Sequence, residues 1–293
     1  MTTYTKLSDK AMLVKLTTRR ASLTKRDAYL TATLQAQEND KSLTVLTKLF
    51  KETASPVRQI MSAYNEVYQY HKTNTLPYVD GGPRLLPSER YMDYTQEMKH
   101  RIAKADKLLD TYIPYYDQLV VDDVNYRNSS TITGRARAST NDYPSAEEFQ
   151  QSMSIDLRFQ PMPNESHFLF DLSEDDLASF RRSEEDAAAL ANADTIQRML
   201  KPTKALVDRL AEYRGEKGER FHNSLVENVI EGCKLARQLA LSPSPELLTE
   251  IASLEEVAKG YLDTVEIIKG SPLAREQARS KLAEVASKMS MFS

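Results

Sequence analysis

From Ser173 to the end of the chain, apolar residues return every three or four positions, run after run. Ile196, Met199, Leu206, Leu210 and Tyr213 form one such stripe, and Leu225, Val229, Gly232, Ala236 and Leu239 a second. Leu247, Ile251, Leu254, Ala258, Tyr261, Val265 and Ile268 form a third, and Ala278, Leu282, Val285, Met289 and Phe292 a fourth. A period between 3.5 and 3.6 puts each set on one face of a helix, and such faces bury only against other helices at shallow angles. The stripes are separated by Gly215–Gly218, by Ser242-Pro243-Ser244-Pro245 and by Gly270-Ser271-Pro272, each with the chemistry of a helix stop and restart. Only eight glycines occur in 293 residues, which suits long helices, because an interior glycine costs a helix about 1 kcal/mol. Residues 173–293 therefore read as a helical bundle or a coiled-coil-like C-terminal half.

The first 172 residues read differently, as an α+β domain. Short runs rich in Leu, Val, Thr and Tyr near 12–16, 29–34 and 43–47 predict strands, with Thr24-Lys25-Arg26-Asp27 as a hairpin connection. Ser55-Pro56 opens a helix over about 56–72, and Ser88 opens another over about 89–120, with a break expected at Pro114. The segment Leu76–Pro87, with three prolines and a glycine pair, is incompatible with regular helix or central strand, and its leucines predict a loop packed onto the fold. Arg127–Asp142 is almost devoid of apolar residues and reads as an exposed loop. Ser145 and Glu148 are spaced as a capping box. Residues 154–160 alternate as a half-buried strand, and 167–170 predict its hairpin partner, so that these strands and the N-terminal ones make one small antiparallel sheet. The fold class expected is α+β, predominantly helical.

The residue inventory argues against most chemistries. The phosphate-binding glycine loops of nucleotide enzymes are absent. One cysteine, Cys233, leaves no internal disulfide and no cysteine zinc cluster. His71, His100, His167 and His222 lie too far apart for a local metal motif. The acidic pair Asp122-Asp123 and the group Asp171, Glu174, Asp175, Asp176 contain the ligands of a two-metal site, but the second group also stands where a helix begins, and the helix dipole explains it. No metal, no cofactor and no catalytic residue is expected. A net charge of −3 excludes a general DNA-coating protein but not a local basic patch. Arg19, Arg20, Lys25 and Arg26 form one such cluster, at the expected hairpin tip, where they are candidates for nucleic-acid contact or simply a solvated turn. Eleven of the fifteen tyrosines fall between Tyr64 and Tyr143, near Arg127, Arg135 and Arg137. They suit either a half-wet core or interface, or stacking on single-stranded nucleic acid. The polar N-terminus and the lack of a long apolar run predict neither a signal peptide nor a membrane span.

Four strings occur in order: Thr75-Leu76-Pro77-Tyr78 with Asp80, Gly82 and Arg84-Leu85-Leu86-Pro87; Asp142-Tyr143-Pro144-Ser145; Phe159, Pro161 and Pro163; and Asn223-Ser224-Leu225-Val226-Glu227-Asn228. Over residues 12–250 the chain thereby resembles a family of uncharacterised proteins of tailed phages and conjugative elements. Genes of that family often lie beside a MoxR-type AAA ATPase and near recombination genes. The resemblance implies context, not mechanism: a phage-encoded protein of the host cytoplasm with a MoxR-like ATPase as a partner. Together with the absent active-site motifs, this gives the expectation of a non-enzymatic interaction or adaptor protein. The heptad-like stripes, offering more apolar face than one short bundle needs, predict homo-oligomerisation. The resemblance carries over no catalytic residues. Tyr78, Asp80, Arg84, Arg135 and Arg137 are the interaction candidates. A nucleic-acid-binding accessory of phage replication or recombination is the alternative, and an inhibitor of a host defence enzyme a further one.

Overall fold

The computed structural model describes residues 7–50, 55–78, 82–129, 137–163, 173–216, 218–241 and 243–292. A one-turn helix α1 (Leu7–Lys10) leads into β1 (Ala11–Arg19), and the chain continues through β2 (Thr24–Arg26), α2 (Ala28–Glu38), β3 (Leu46–Lys48) and α3 (Pro56–Asn74). β4 (Arg84–Pro87) and a 3₁₀ turn precede α4 (Tyr91–Tyr112) and α5 (Tyr116–Asn128), then α6 (Ala146–Ser152) and β5 (Ser154–Gln160). Five helices complete the described chain: α7 (Glu174–Glu212), α8 (Ser224–Leu239), α9 (Pro245–Asp263), α10 (Val265–Gly270) and α11 (Pro272–Ser290). The protein is α+β and predominantly helical, with a small antiparallel sheet and a helical C-terminal half.

Where local chemistry is strong, the elements begin and end as it dictates. The Ser145 hydroxyl accepts from the Glu148 amide while the Glu148 carboxylate accepts from the Ser145 amide, closing the capping box of α6. The Ser173, Ser244 and Ser271 hydroxyls accept from the amides of Asp176, Leu247 and Ala274 and so cap α7, α9 and α11, the last two with proline in the first turn. Glu174, Asp175 and Asp176 occupy the first turn of α7, at the positive end of its dipole. Pro114 sits in the 3₁₀ turn that divides α4 from α5.

Three strand expectations change. Residues 29–34 are helix, not strand, because the buried Asp27 carboxylate accepts from the Leu30 amide and caps a run of Ala, Leu and Gln that favours helix over the local Tyr/Thr content. Asn39, in the left-handed region at φ 51°, ends it. The strand expected at 43–47 is displaced to Leu46–Lys48, and Thr24–Arg26, expected as a connection, is the strand that pairs with it. The expected single sheet is two: β4-β1-β5, and β2-β3 by itself. β4 arises within the proline-rich segment as an edge strand, where the terminal Pro87 withholds no needed donor. Residues 167–170 lie outside the described residues.

The chain forms two compact units, neither contiguous in sequence: one holds the described residues up to Lys15, Lys72–Tyr94 and those from Arg158 on; the other holds Leu16–His71 and Thr95–Leu157. In the first, α7 packs on α8 and α11, and α9 packs on the same two, closing a four-helix ring. Its core is made of the stripes read from the sequence, with Ile196, Met199, Val229, Ile251, Leu254 and Leu282 essentially inaccessible. Each such side chain removes apolar surface worth about 1.5–3 kcal/mol from water. A second cluster in this unit joins Leu7, Ala11, Leu13, Leu76 and Leu85 to Ala187, Ala191 and Leu239. In the other unit the aromatic core stacks Tyr116 on Phe149 at 4.8 Å and sets Phe50 against Tyr143 at 5.1 Å.

Candidate functional site

The basic cluster is organised by the β2–β3 ribbon. The register pairs Thr24 with Lys48, Lys25 with Thr47 and Arg26 with Leu46. Because side chains alternate along a strand, Thr24, Arg26, Leu46 and Lys48 share one face, and Lys25 and Thr47 the other. The second face is committed internally: Lys25 forms an ion pair with Asp142, and the buried Thr47 hydroxyl donates to the Asp27 carboxylate at 3.5 Å. The first face is exposed. Leu46 is 61% accessible and Tyr29, in the first turn of α2, 56%. Arg19 ends β1 in solvent, and Arg20 reaches Asn65 at 3.4 Å. Among the described residues, Arg19, Arg26 and Lys48 meet no carboxylate, whereas Lys25 is paired. Lys48 joins this face only through the register, and Tyr29 stands exposed three residues beyond Arg26 because Asp27 starts α2 there, neither of which the sequence pattern marked.

Behind the ribbon, in the same unit, a buried polar knot fixes the ends of two segments. One Asp123 oxygen accepts from the Phe50 amide at 2.8 Å and from the Tyr143 hydroxyl. Tyr143 in turn accepts from the Arg127 guanidinium at 3.1 Å. Burial, reinforced by the hydrogen bond to Asp123, pushes the Tyr143 hydroxyl up to about 12. Phe50 adopts φ 49°, a left-handed conformation costly for a bulky residue. It is held there by the Asp123 bond and by Arg58, which donates to its carbonyl at 2.5 Å and to that of Leu49 at 3.1 Å. The Asn128 carboxamide clasps Ala138 through both backbone groups, at 3.0 and 2.8 Å, leaving the neighbouring Arg137 exposed. Arg135 lies outside the described residues.

In the first unit, the half-buried Arg84 is bonded to the end of α3. Its guanidinium donates to the Thr75 hydroxyl at 2.7 Å and to the Thr75 carbonyl at 2.9 Å. Arg198 of α7 donates to the same carbonyl at 2.8 Å, to that of Lys72 at 3.2 Å and to that of Thr73. Two cations thus close the negative end of α3. Leu76, Leu85 and Leu86 are fully buried, as the packed-loop reading of this segment requires. Tyr78 packs partly against the Leu76–Leu85 cluster, and burial followed by the nearby Glu184 charge raises its pKa. Asp80 lies outside the described residues. A cleft of about 350 Å³ opens between Asp9, Lys10, Glu89, Arg90, Asp93 and Arg237, with Arg90 donating to Gln238 at 2.6 Å. Its carboxylates and cations balance, and its walls come from three distant segments, so nothing in the sequence marked it.

The bundle presents one more surface. Arg275, itself buried, donates to the last carbonyls of α10, Ile268 at 3.2 Å and Lys269 at 2.8 Å, and lies over the Tyr213 ring. It ties the start of α11 to the end of α10. On either side of the α10–α11 turn Ile267 is 62% and Leu273 69% exposed.

His71 is buried and His100 and His222 are exposed, while His167 lies outside the described residues. No group of three metal-ligating side chains occurs among the described residues, and no described helix is long and apolar enough to cross a membrane. Burial pushes the Cys233 thiol up to about 12, away from the reactive thiolate. Comparison of the chain with protein-family models, with characterised proteins and with solved structures finds no match.

Proposed function

We propose that the protein is a non-enzymatic adaptor that docks a protein partner through the α10–α11 turn of its bundle. The observation that carries this is the pair Ile267 and Leu273, two large aliphatic side chains mostly in water on a turn that Arg275 ties together. Solitary exposed leucines are ordinary, but an aliphatic pair on a tied turn binds with less of the entropy cost of ordering a loop. The resemblance to phage and conjugative-element proteins makes a MoxR-type AAA ATPase in the host cytoplasm the first partner to test. A second copy of the chain is the other candidate for the same knuckle, since the stripes themselves, Phe292 apart, face into the bundle.

The test is a tagged pull-down from cells carrying the native system, with wild type and with Ile267→Glu/Leu273→Glu. Both positions are exposed, so the variant should keep its helical circular dichroism. One stoichiometric partner recovered with wild type and lost with the variant supports the adaptor reading. A partner retained by the variant removes this surface from consideration. Light scattering on both proteins distinguishes self-association from docking of another chain.

A further inference from the structure

We infer that the exposed face of the β2–β3 ribbon binds single-stranded nucleic acid. The argument is charge complementarity. Although the chain as a whole is acidic at −3, Arg26 and Lys48 stand diagonally on one ribbon face, and Arg19 lies in the same unit. Among the described residues, none of the three touches a carboxylate. Among the described residues, two acids of this region are committed: Asp27 caps α2 and Asp142 holds Lys25. A group of exposed cations that no described carboxylate pairs is what a phosphate chain displaces its counterions to reach.

The choice of a single strand rests on the apolar part of the same surface. Tyr29 follows Arg26 by three residues, at most about 11 Å along the chain, and more than half of it is in solvent. Leu46 is cross-strand from Arg26 and also exposed. A free aromatic ring beside unpaired cations can stack an unpaired base, which a duplex does not offer. The asymmetry of the ribbon supports the assignment. On its inner face Thr47 is buried and bonded to Asp27 and Lys25 is paired with Asp142, so the outer cations are presented on a tied frame.

The experiment measures fluorescence anisotropy of a labelled mixed-sequence oligonucleotide with the full-length protein, in single-stranded and duplex form, across a salt series. Labelled polyglutamate serves as the acidic-polypeptide comparison. Three phosphate contacts predict a slope of about −2 in log affinity against log salt, so a threefold rise in salt weakens binding about tenfold. Arg26→Ala/Lys48→Ala should lose most of the binding and flatten that slope, and Tyr29→Ser should weaken single-strand binding while leaving the slope unchanged. All three side chains are exposed, and unaltered circular dichroism checks the fold. Lys281→Ala, in the bundle, is the control and should bind as wild type. Absence of binding at low salt overturns the proposal, as does binding indifferent to the ribbon variants. Preference for duplex overturns the single-strand assignment, and equal binding of polyglutamate with no effect of Tyr29→Ser shows a generic polyanion surface instead.

Discussion

At the scale of single residues, the least replaceable side chain is Asp123. It is buried, and one of its oxygens serves both the amide of the left-handed Phe50 and the Tyr143 hydroxyl. Asp123→Ala leaves two donors without an acceptor and removes what holds an unfavourable backbone conformation, so a loss of about 2–4 kcal/mol is expected by urea denaturation. A loss under about 0.5 kcal/mol would show that the knot is not stabilising. The tyrosines in this unit impose a pH dependence of their own. Tyr64 and Tyr143 are each pushed up from 10.0 to about 12, first by burial and then by neighbouring aspartates. Each keeps its proton in the fold at a pH where the unfolded chain releases it. The stability this represents is complete below pH 10, and is lost as pH rises from there toward 12. Tyrosinate absorbance should therefore show a late fraction that titrates together with loss of helical signal. A single normal titration with the fold intact would contradict these environments. The residue scale is also where the sequence was least legible. That the Arg84 guanidinium closes the end of α3 could not be read there, because nothing in a linear string says which carbonyls a fold brings within reach.

At the scale of elements, a serine followed by proline or by acidic residues predicted helix starts at Ser173, Ser244 and Ser271, and each caps a helix. Capping is readable because donor and acceptor lie within three residues of each other. The segment 29–34 misled for a related reason: strand propensity is a packing preference, and here the Asp27 cap outweighed it. The contact between α7 and α8 shows what a stripe conceals. Pro202 lies inside α7 and has no amide, so the Arg198 carbonyl four residues back lacks its helical donor. Gly232 of α8 brings backbone up to that carbonyl, and a Cβ there would stand 3.0 Å from it and 3.4 Å from the Pro202 ring. Gly232→Ala would gain about 1 kcal/mol of helix propensity but lose up to about 3 kcal/mol to overpacking against an atom that cannot move alone. We expect a net loss near 1 kcal/mol, with a lower melting temperature. A rise in melting temperature would mean that the helices separate freely.

At the scale of the whole molecule, the bundle core is drawn entirely from residues 196–289. The second cluster of the same unit needs Leu7, Ala11, Leu13, Leu76 and Leu85 as well. A fragment of residues 173–293 should therefore remain helical and melt cooperatively, yet bind hydrophobic dye and associate more than the intact chain, because Ala187, Ala191 and Leu239 lose their cover. An unfolded fragment would show that the bundle depends on that cover for its existence. A fragment as soluble and dye-free as the whole chain would show that the cover contributes little.

The sequence by itself determined the helical C-terminal half, its breaks near 215–218, 242–245 and 270–272 but not the one at Thr264, the caps at Ser145, Ser173, Ser244 and Ser271, and the strand over 154–160. All of these rest on interactions within a turn or on a repeat along one face, and such information is local. Tertiary structure alone decided that Thr24–Arg26 is a strand facing Leu46–Lys48, that β4 borders β1, and that Arg84 and Arg198 meet at the end of α3. It also decided which of the basic residues stand free. Each of these joins residues far apart in the chain, and their pairing is chosen by burial and register across the fold, for which a one-dimensional pattern has no coordinate.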